Sequence, residues 1–169
     1  SSTNSQSGSI RVTSGASTKS SGNINIQVGT SNAGVGSSVT IIAGSTAAGK
    51  GGDVTLIGGS SSTGTSGSVT ISSANSGAEG KSGKITLSSG TATAATSGGI
   101  DISSGNALGS AGDISIKTGT SASTAGGDML FQAGATSANQ GGTISLTAGN
   151  AVQGEGGSIA LIAGHTVEG

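Results

Sequence analysis

Apolar residues recur along the chain in pairs separated by one residue, and the pairs return about every fifteen residues. From Gly8 onward the pattern Gly-x-Φ-x-Φ-x-small-Gly, in which Φ is an apolar residue, recurs eleven times at spacings of 14 to 16 residues, with single departures at Val28, Ser37 and Ala74. The third position of the repeat reads Ile10, Ile24, Val39, Val54, Val69, Ile85, Ile100, Ile114, Met129, Ile144 and Ile159. A chain that keeps this register is a tandem-repeat protein.

The apolar pair predicts a short β-strand in each repeat, because alternate side chains on a strand point to the same face. Most of these residues are β-branched or leucine, which strands favour. We therefore expect both members of each pair to face inward. The predicted structural core consists of the fifth-position residues Ile26, Ile41, Leu56, Ile71, Leu87, Ile102, Ile116, Phe131 and Leu146.

The eighth position of the repeat is glycine everywhere except at Ala74. Glycine adopts a positive φ without steric cost, so these residues are predicted to turn the chain at a corner. The predicted turn glycines are Gly29, Gly44, Gly59, Gly90, Gly105, Gly119, Gly134 and Gly149. The tenth position is always Ser, Thr or Ala, and we expect it to form a thin inner wall opposite the aliphatic residues.

A fifteen-residue repeat is too short for a helical crossover and fits one turn of a solenoid. The predicted fold class is therefore all-β, a narrow parallel β-solenoid (β-roll or β-helix) with about 15 residues per rung and eleven rungs. Burying two aliphatic side chains contributes about 3 to 6 kcal/mol per rung, whereas ordering fifteen residues costs roughly 15 to 30 kcal/mol. A lone rung cannot fold, so stacking must supply the remainder.

The ends of the chain carry no capping element that would cover an open rung. We expect residues 1–7 to be the tail of a preceding rung. Residues 8–169 are expected to form a single array that belongs to a longer array or filament.

Composition agrees with a repeat and excludes an ordinary core. The 169 residues include 35 Gly, no Pro, no Cys, no Trp, no Tyr, one Phe and one His, and only 8% are charged. Disordered chains usually carry many prolines or a high net charge, whereas the net charge here is -1. The six basic residues are scattered and balanced by seven acidic ones, which excludes nucleic acid as a partner.

One stretch resembles a phosphate-binding loop, in which Gly44 and Gly49 precede Lys50. Such a loop requires a helix after its lysine, because the helix amides hold the anion. Here Gly51 and Gly52 lead into the next predicted strand. The match is therefore interpreted as the corner and return segment of one repeat, and no cofactor is predicted.

Metal and catalytic chemistry have few candidate residues. Without cysteine and with His165 as the only histidine, the chain has no standard zinc ligand set. Asp113 and Asp128 occupy the second position of adjacent repeats, where stacked rungs would let them share a calcium ion or leave them as surface acids. Clustered acids with basic partners are lacking, so no catalytic residue is predicted and the chain is not expected to be an enzyme.

Ice binding is an alternative function, because a flat solenoid face with ranked threonines can order water. Four successive repeats place a threonine at the outward fourth position: Thr40, Thr55, Thr70 and Thr86. The neighbouring outward positions are irregular, and β-propensity alone also explains threonine on an exposed face.

Runs such as GGDVTLIGG, SGSVTISSA, AGDISIKTG and GGTISLTAG resemble the tandem repeats of large Gly/Ser/Thr-rich predicted surface and extracellular proteins of diatoms and related algae. They are more loosely similar to repeats of bacterial filamentous adhesins, and the coil length is similar to that of grass ice-binding β-rolls. The Asn-rich, Thr-x-Val-type face of the grass proteins is not reproduced. The resemblance implies an extracellular fibre or an adhesive role and carries over no catalytic residue.

The predicted function is structural: an extracellular or cell-surface fibre or adhesive segment that assembles with copies of itself. The predicted partners are copies of itself, end to end or side by side, and polysaccharide is a further candidate. No run of 18 apolar residues is present, so membrane insertion is not expected. Ile42, Ile57 and Ile162, apolar at the outward sixth position, are candidate lateral contacts.

Overall fold

The computed structural model describes residues 7–122 and 124–165. Within these ranges the backbone forms no helix and no strand. Irregular segments alternate with bends, and the bends return about every fifteen residues in step with the sequence repeat. Residues 1–6, which belong to the predicted tail of a preceding rung, lie outside the described residues.

The predicted β-solenoid is wrong for this chain, because the described residues contain no strand from which rungs could be built. Every backbone-to-backbone hydrogen bond between described residues joins positions no more than eight apart. Stacked rungs would need a ladder of bonds between residues about fifteen apart. Instead, backbone amides and carbonyls at the ends of several predicted strands bond to each other within one loop. The stabilisation expected from hydrogen bonds between stacked repeats is therefore missing.

Accessible surface gives the scale of this departure from a folded domain. The chain exposes 16872 Å², whereas a folded protein of 15.4 kDa exposes about 7,200 Å² and a fully unfolded one about 22,000 Å². No described residue is buried, and only Ala43, Gly58, Ala133 and Ala148 are half-buried. The accessible surface of the chain is therefore closer to that of an unfolded chain than to that of a folded domain.

The aliphatic residues predicted to form the core are exposed, so the inward orientation predicted together with the solenoid is wrong. Ile116 is 61% exposed and Ile26 is 77% exposed. The other members of the predicted core lie on the surface as well: Ile41, Leu56, Ile71, Leu87, Ile102, Phe131 and Leu146. Without stacked repeats there is no second layer to cover them.

The structure divides into two units, and the first is Ser1–Thr86. Its described part bends at residues 18–19, 32–34, 47–49, 62–64 and 78–80. The last of these bends is a tight turn, because the Gly80 amide donates to the Gly77 carbonyl oxygen at 3.2 Å. Each bend lies in the polar return segment between two apolar pairs.

The second unit is Leu87–Gly169. Its described residues bend at 93–95, 108–109, 122, 124, 137–139 and 152–154. The spacing of these bends is again that of the repeat, so one local conformation recurs in both units.

Candidate functional site

A loop closed by one backbone hydrogen bond recurs in both units. The amide of the glycine that opens a repeat donates to the carbonyl oxygen of the eighth-position glycine of the repeat before it. The bond measures 2.8 Å from Gly52 to Gly44 and 2.9 Å from Gly142 to Gly134. The same bond joins Gly67 to Gly59, Gly127 to Gly119 and Gly157 to Gly149. We call the point where the two glycines meet the neck of the loop.

The two chain segments approach closely at the neck, so little room is left for a side chain on the opening glycine. A Cβ on Gly142 would lie 3.1 Å from the Gly134 nitrogen and 3.3 Å from the Ala133 Cβ. A Cβ on Gly52 would likewise lie 3.1 Å from the Gly44 nitrogen. Ala43 and Ala133 at the seventh position lie beside these two necks, and the four half-buried residues among those described all occupy this position.

Hydroxyl groups at the tenth position stabilise the bends. The Thr46 hydroxyl donates to the Ala48 carbonyl oxygen at 2.9 Å, and the Ala48 amide donates to the Thr46 hydroxyl oxygen at 3.2 Å. The Gly64 amide donates to Ser61 at 2.8 Å. Equivalent local bonds involve Ser17, Ser31, Ser121 and Thr136. Ser and Thr are common in such turns because the hydroxyl replaces a backbone partner. The tenth position thus holds the bend and does not form the predicted inner wall.

The predicted turn glycines do not turn the chain through a positive φ. Positive φ angles occur at Gly34 (99°), Gly49 (107°) and Gly154 (102°), each five residues after an eighth-position glycine. None of the predicted turn glycines is among them: Gly29, Gly44, Gly59, Gly90, Gly105, Gly119, Gly134 and Gly149. The chain turns in the middle of the return segment, where a tenth-position hydroxyl bonds in the repeats of Gly34 and Gly49. A second glycine at this place does not suffice, because Gly64 lies five residues after Gly59 and has no positive φ.

The segment that resembles a phosphate loop lies around the neck of Gly44 and Gly52. The Lys50 ammonium forms an ion pair of 2.8 Å with the Asp53 carboxylate. No helix follows Lys50 within residues 7–122. Both side chains are mostly exposed, so the pair is screened by solvent and adds little stability.

The structure brings none of the other candidate residues together in a site. Asp113 and Asp128 make no hydrogen bond or ion pair with another described residue. The described residues also contain no group of three or more His, Asp or Glu residues that could hold a metal ion. Thr40, Thr55, Thr70 and Thr86 are exposed on backbone without a strand, so no sheet aligns them as the flat face that ice binding requires.

One pocket forms where two consecutive repeats of the second unit approach each other. It is lined by Phe131, Ile144, Ser145 and Leu146 and has a volume of about 270 Å³. Phe131 and Leu146 are the fifth-position residues of their repeats. Three of the four lining residues are apolar, and all are exposed. We call this feature the Phe131 pocket.

Comparison with known proteins gives no relative from which a function could be transferred. No protein-family model matches the chain, and no curated protein or solved structure matches it either. Among the described residues, no helix has the length and apolar character needed to cross a bilayer.

Proposed function

We propose that this chain is a structural repeat segment that associates with copies of itself through its aliphatic pairs, without catalysis. The observation that supports the proposal is the exposure of every apolar pair along the described chain. Singly exposed apolar residues are normal on protein surfaces. A regular series of exposed pairs is different, because many weak contacts on one chain reinforce one another when two copies associate.

The number of repeats matches what a stable interface between two copies would need. A fully buried aliphatic side chain contributes about 1.5–3 kcal/mol, which corresponds to about 60–120 Å². One pair from each copy therefore removes on the order of 300 Å² from water per repeat. Stable interfaces bury about 1,200–2,000 Å² in total, so on the order of four to seven repeats must engage together. The chain has eleven, and linked weak contacts reinforce one another.

The tenth-position hydroxyls favour self-association over polysaccharide binding. Many of them already bond within their own loops, as Thr46 does with Ala48 and Ser61 with Gly64. The aliphatic pairs have no such local partner. We place the assembly outside the cell or at the cell surface on the strength of the resemblance to algal surface repeats.

Sedimentation velocity and electron microscopy over a range of protein concentrations test this function. We expect the wild-type chain to form large assemblies as the concentration rises. The variant Ile41→Ser/Leu87→Ser/Ile116→Ser should assemble only at a concentration at least tenfold higher, because no more than three consecutive apolar pairs stay intact.

The matched control is Val35→Ser/Leu108→Ser/Val152→Ser. It removes three apolar side chains that are fully exposed but lie in return segments outside the pairs. We expect it to assemble like the wild type. Equal loss in both variants, or a wild-type chain that stays monomeric at every concentration, would contradict the proposal.

A further inference from the structure

The Phe131 pocket differs from the rest of the apolar surface because it contains the only aromatic side chain in the sequence. We propose that this pocket is the place where a second copy of the chain docks first, and that its occupant is an aliphatic pair of that copy. The inference rests on the proposed function, since it names the surface on which self-association begins.

The size of the pocket suits an apolar side chain. Its volume is about 270 Å³, whereas a cavity of about 150 Å³ lined by Leu, Ile and Phe already holds benzene. One large side chain or both members of an aliphatic pair therefore fit. A ring buries about 150–250 Å² when covered, and Phe131 is 65% exposed in the isolated chain, so an occupant would cover much of its face.

The lining of the pocket selects the chemistry of the occupant. Ser145 is its only polar residue, and no charged side chain lines it. A sugar or an ion needs several converging polar groups, which this lining does not provide. An aliphatic side chain needs none, and the chain carries an exposed aliphatic pair in every repeat.

The pocket alone is too small to hold two copies together. A stable interface needs about 1,200–2,000 Å², which a single ring and its neighbours do not reach. The pocket would instead anchor the second copy, because an occupant seated against Phe131 brings the flanking repeats of both copies together. Linked repeats then add their contacts at high effective concentration.

A tryptophan in place of the ring reports directly on the occupancy of the pocket. The chain contains no Trp and no Tyr, so Phe131→Trp provides its only strong fluorophore. We expect the emission of this variant to shift to shorter wavelength as the protein concentration rises through the range in which sedimentation shows dimers. Leu108→Trp is the matched control, because Leu108 is fully exposed and lies in a return segment. Its emission should stay that of a solvated indole until large assemblies form.

The outcomes separate the pocket from the proposed function. If the chain associates while Phe131→Trp keeps a solvated spectrum, or if both tryptophans shift together, the pocket inference is overturned and self-association stands. If no association occurs at any concentration, both are overturned. A shift that requires added polysaccharide, or one already present in the monomer, also overturns the proposed occupant.

A second variant avoids dependence on the larger indole ring. Phe131→Ser should raise the dimer dissociation constant about tenfold or more, whereas Leu108→Ser should leave it within about twofold of the wild type. An equal effect of the two substitutions would overturn the inference. Because Phe131 is not buried in the isolated chain, its removal leaves no cavity that would unfold the monomer.

Discussion

The Gly142 amide donates a hydrogen bond of 2.9 Å to the Gly134 carbonyl oxygen, and this single bond closes a loop of the polar return segment. The bond joins residues eight apart and leaves the apolar pairs on either side of the loop uncovered. Local closure of this kind recurs at five places among the described residues, and the apolar pairs between the loops stay exposed.

The neck should open when its opening glycine acquires a side chain. In Gly142→Ala the new Cβ would lie 3.1 Å from the Gly134 nitrogen and 3.3 Å from the Ala133 Cβ, so the two segments must move apart by a few tenths of an ångström. We expect loss of the hydrogen bond, worth about 0.5–1.5 kcal/mol. The temperature coefficient of the chemical shift of the residue 142 amide proton, measured by NMR, reports whether this hydrogen bond is present. In the control Gly134→Ala the added Cβ meets nothing within 4 Å, and an equal effect there would contradict the neck geometry.

We expect the Thr46 hydroxyl to stabilise the bend at residues 47–49. Thr46→Val keeps the size of the side chain but removes both hydrogen bonds with Ala48, of 2.9 and 3.2 Å. We expect faster hydrogen exchange of the Ala48 amide and a loss of about 0.5–1 kcal/mol in bend formation, because the site is exposed. Thr46→Ser should restore the wild-type rate. If Thr46→Val exchanges like the wild type, the hydroxyl does not hold the bend.

The position of the positive φ can be tested with two glycines of one loop. Gly49 has a φ of 107°, which L-residues rarely adopt, so Gly49→Ala should disfavour the bend by about 1–3 kcal/mol. Gly44→Ala should cost much less, because Gly44 has no positive φ and an added Cβ would lie in open space. Scalar couplings between amide and α protons of residues 47–49 measure the change. A larger effect at Gly44 would favour the corner predicted from the sequence.

The absence of strands from the described residues predicts a far-ultraviolet circular dichroism spectrum without the minimum of β-sheet. The measurement should be made at a concentration where sedimentation shows monomers, since assembly adds new contacts. A strong sheet minimum for the monomer, or a cooperative thermal transition, would contradict the structure. The variant Ile71→Asp provides a control. Because Ile71 is exposed, the substitution should leave the monomer spectrum unchanged.

The solenoid prediction is wrong because it assumes that equivalent residues of consecutive repeats stack on one another. Ile41 and Leu56 were expected to stack because they are fifteen residues apart at equivalent positions. Stacking orders every residue between them at about 1–2 kcal/mol each, and two aliphatic side chains per repeat do not offset this cost. Closing the loop between Gly44 and Gly52 orders fewer residues and bonds the groups that would otherwise have joined the ladder.

The tenth-position residues are visible in the sequence as a regular feature, but the role predicted for them is wrong. The constant Ser, Thr or Ala at the tenth position was recognised, but Thr46 holds a bend instead of lining a wall. The place of Gly49 in the return segment did not by itself mark it as the turning residue, because Gly64 has the same place and no positive φ. The Phe131 pocket could not have been found in this way, because it depends on the approach of Ile144 and Leu146 from the next repeat.

The sequence by itself determined the repeat, its period of about fifteen residues, and the order of apolar pair, glycine and polar return segment within it. Only the tertiary structure decided that the pairs remain exposed and that the loops close at glycine necks. The physical reason is that two structures are compatible with the same pattern of apolar and polar positions. One is a stacked solenoid rung, and the other is a loop closed by a local hydrogen bond with its apolar pair exposed. The stacked rung is stable only if contacts between residues fifteen apart offset the entropy lost in ordering the chain between them. The local sequence pattern does not show whether they do.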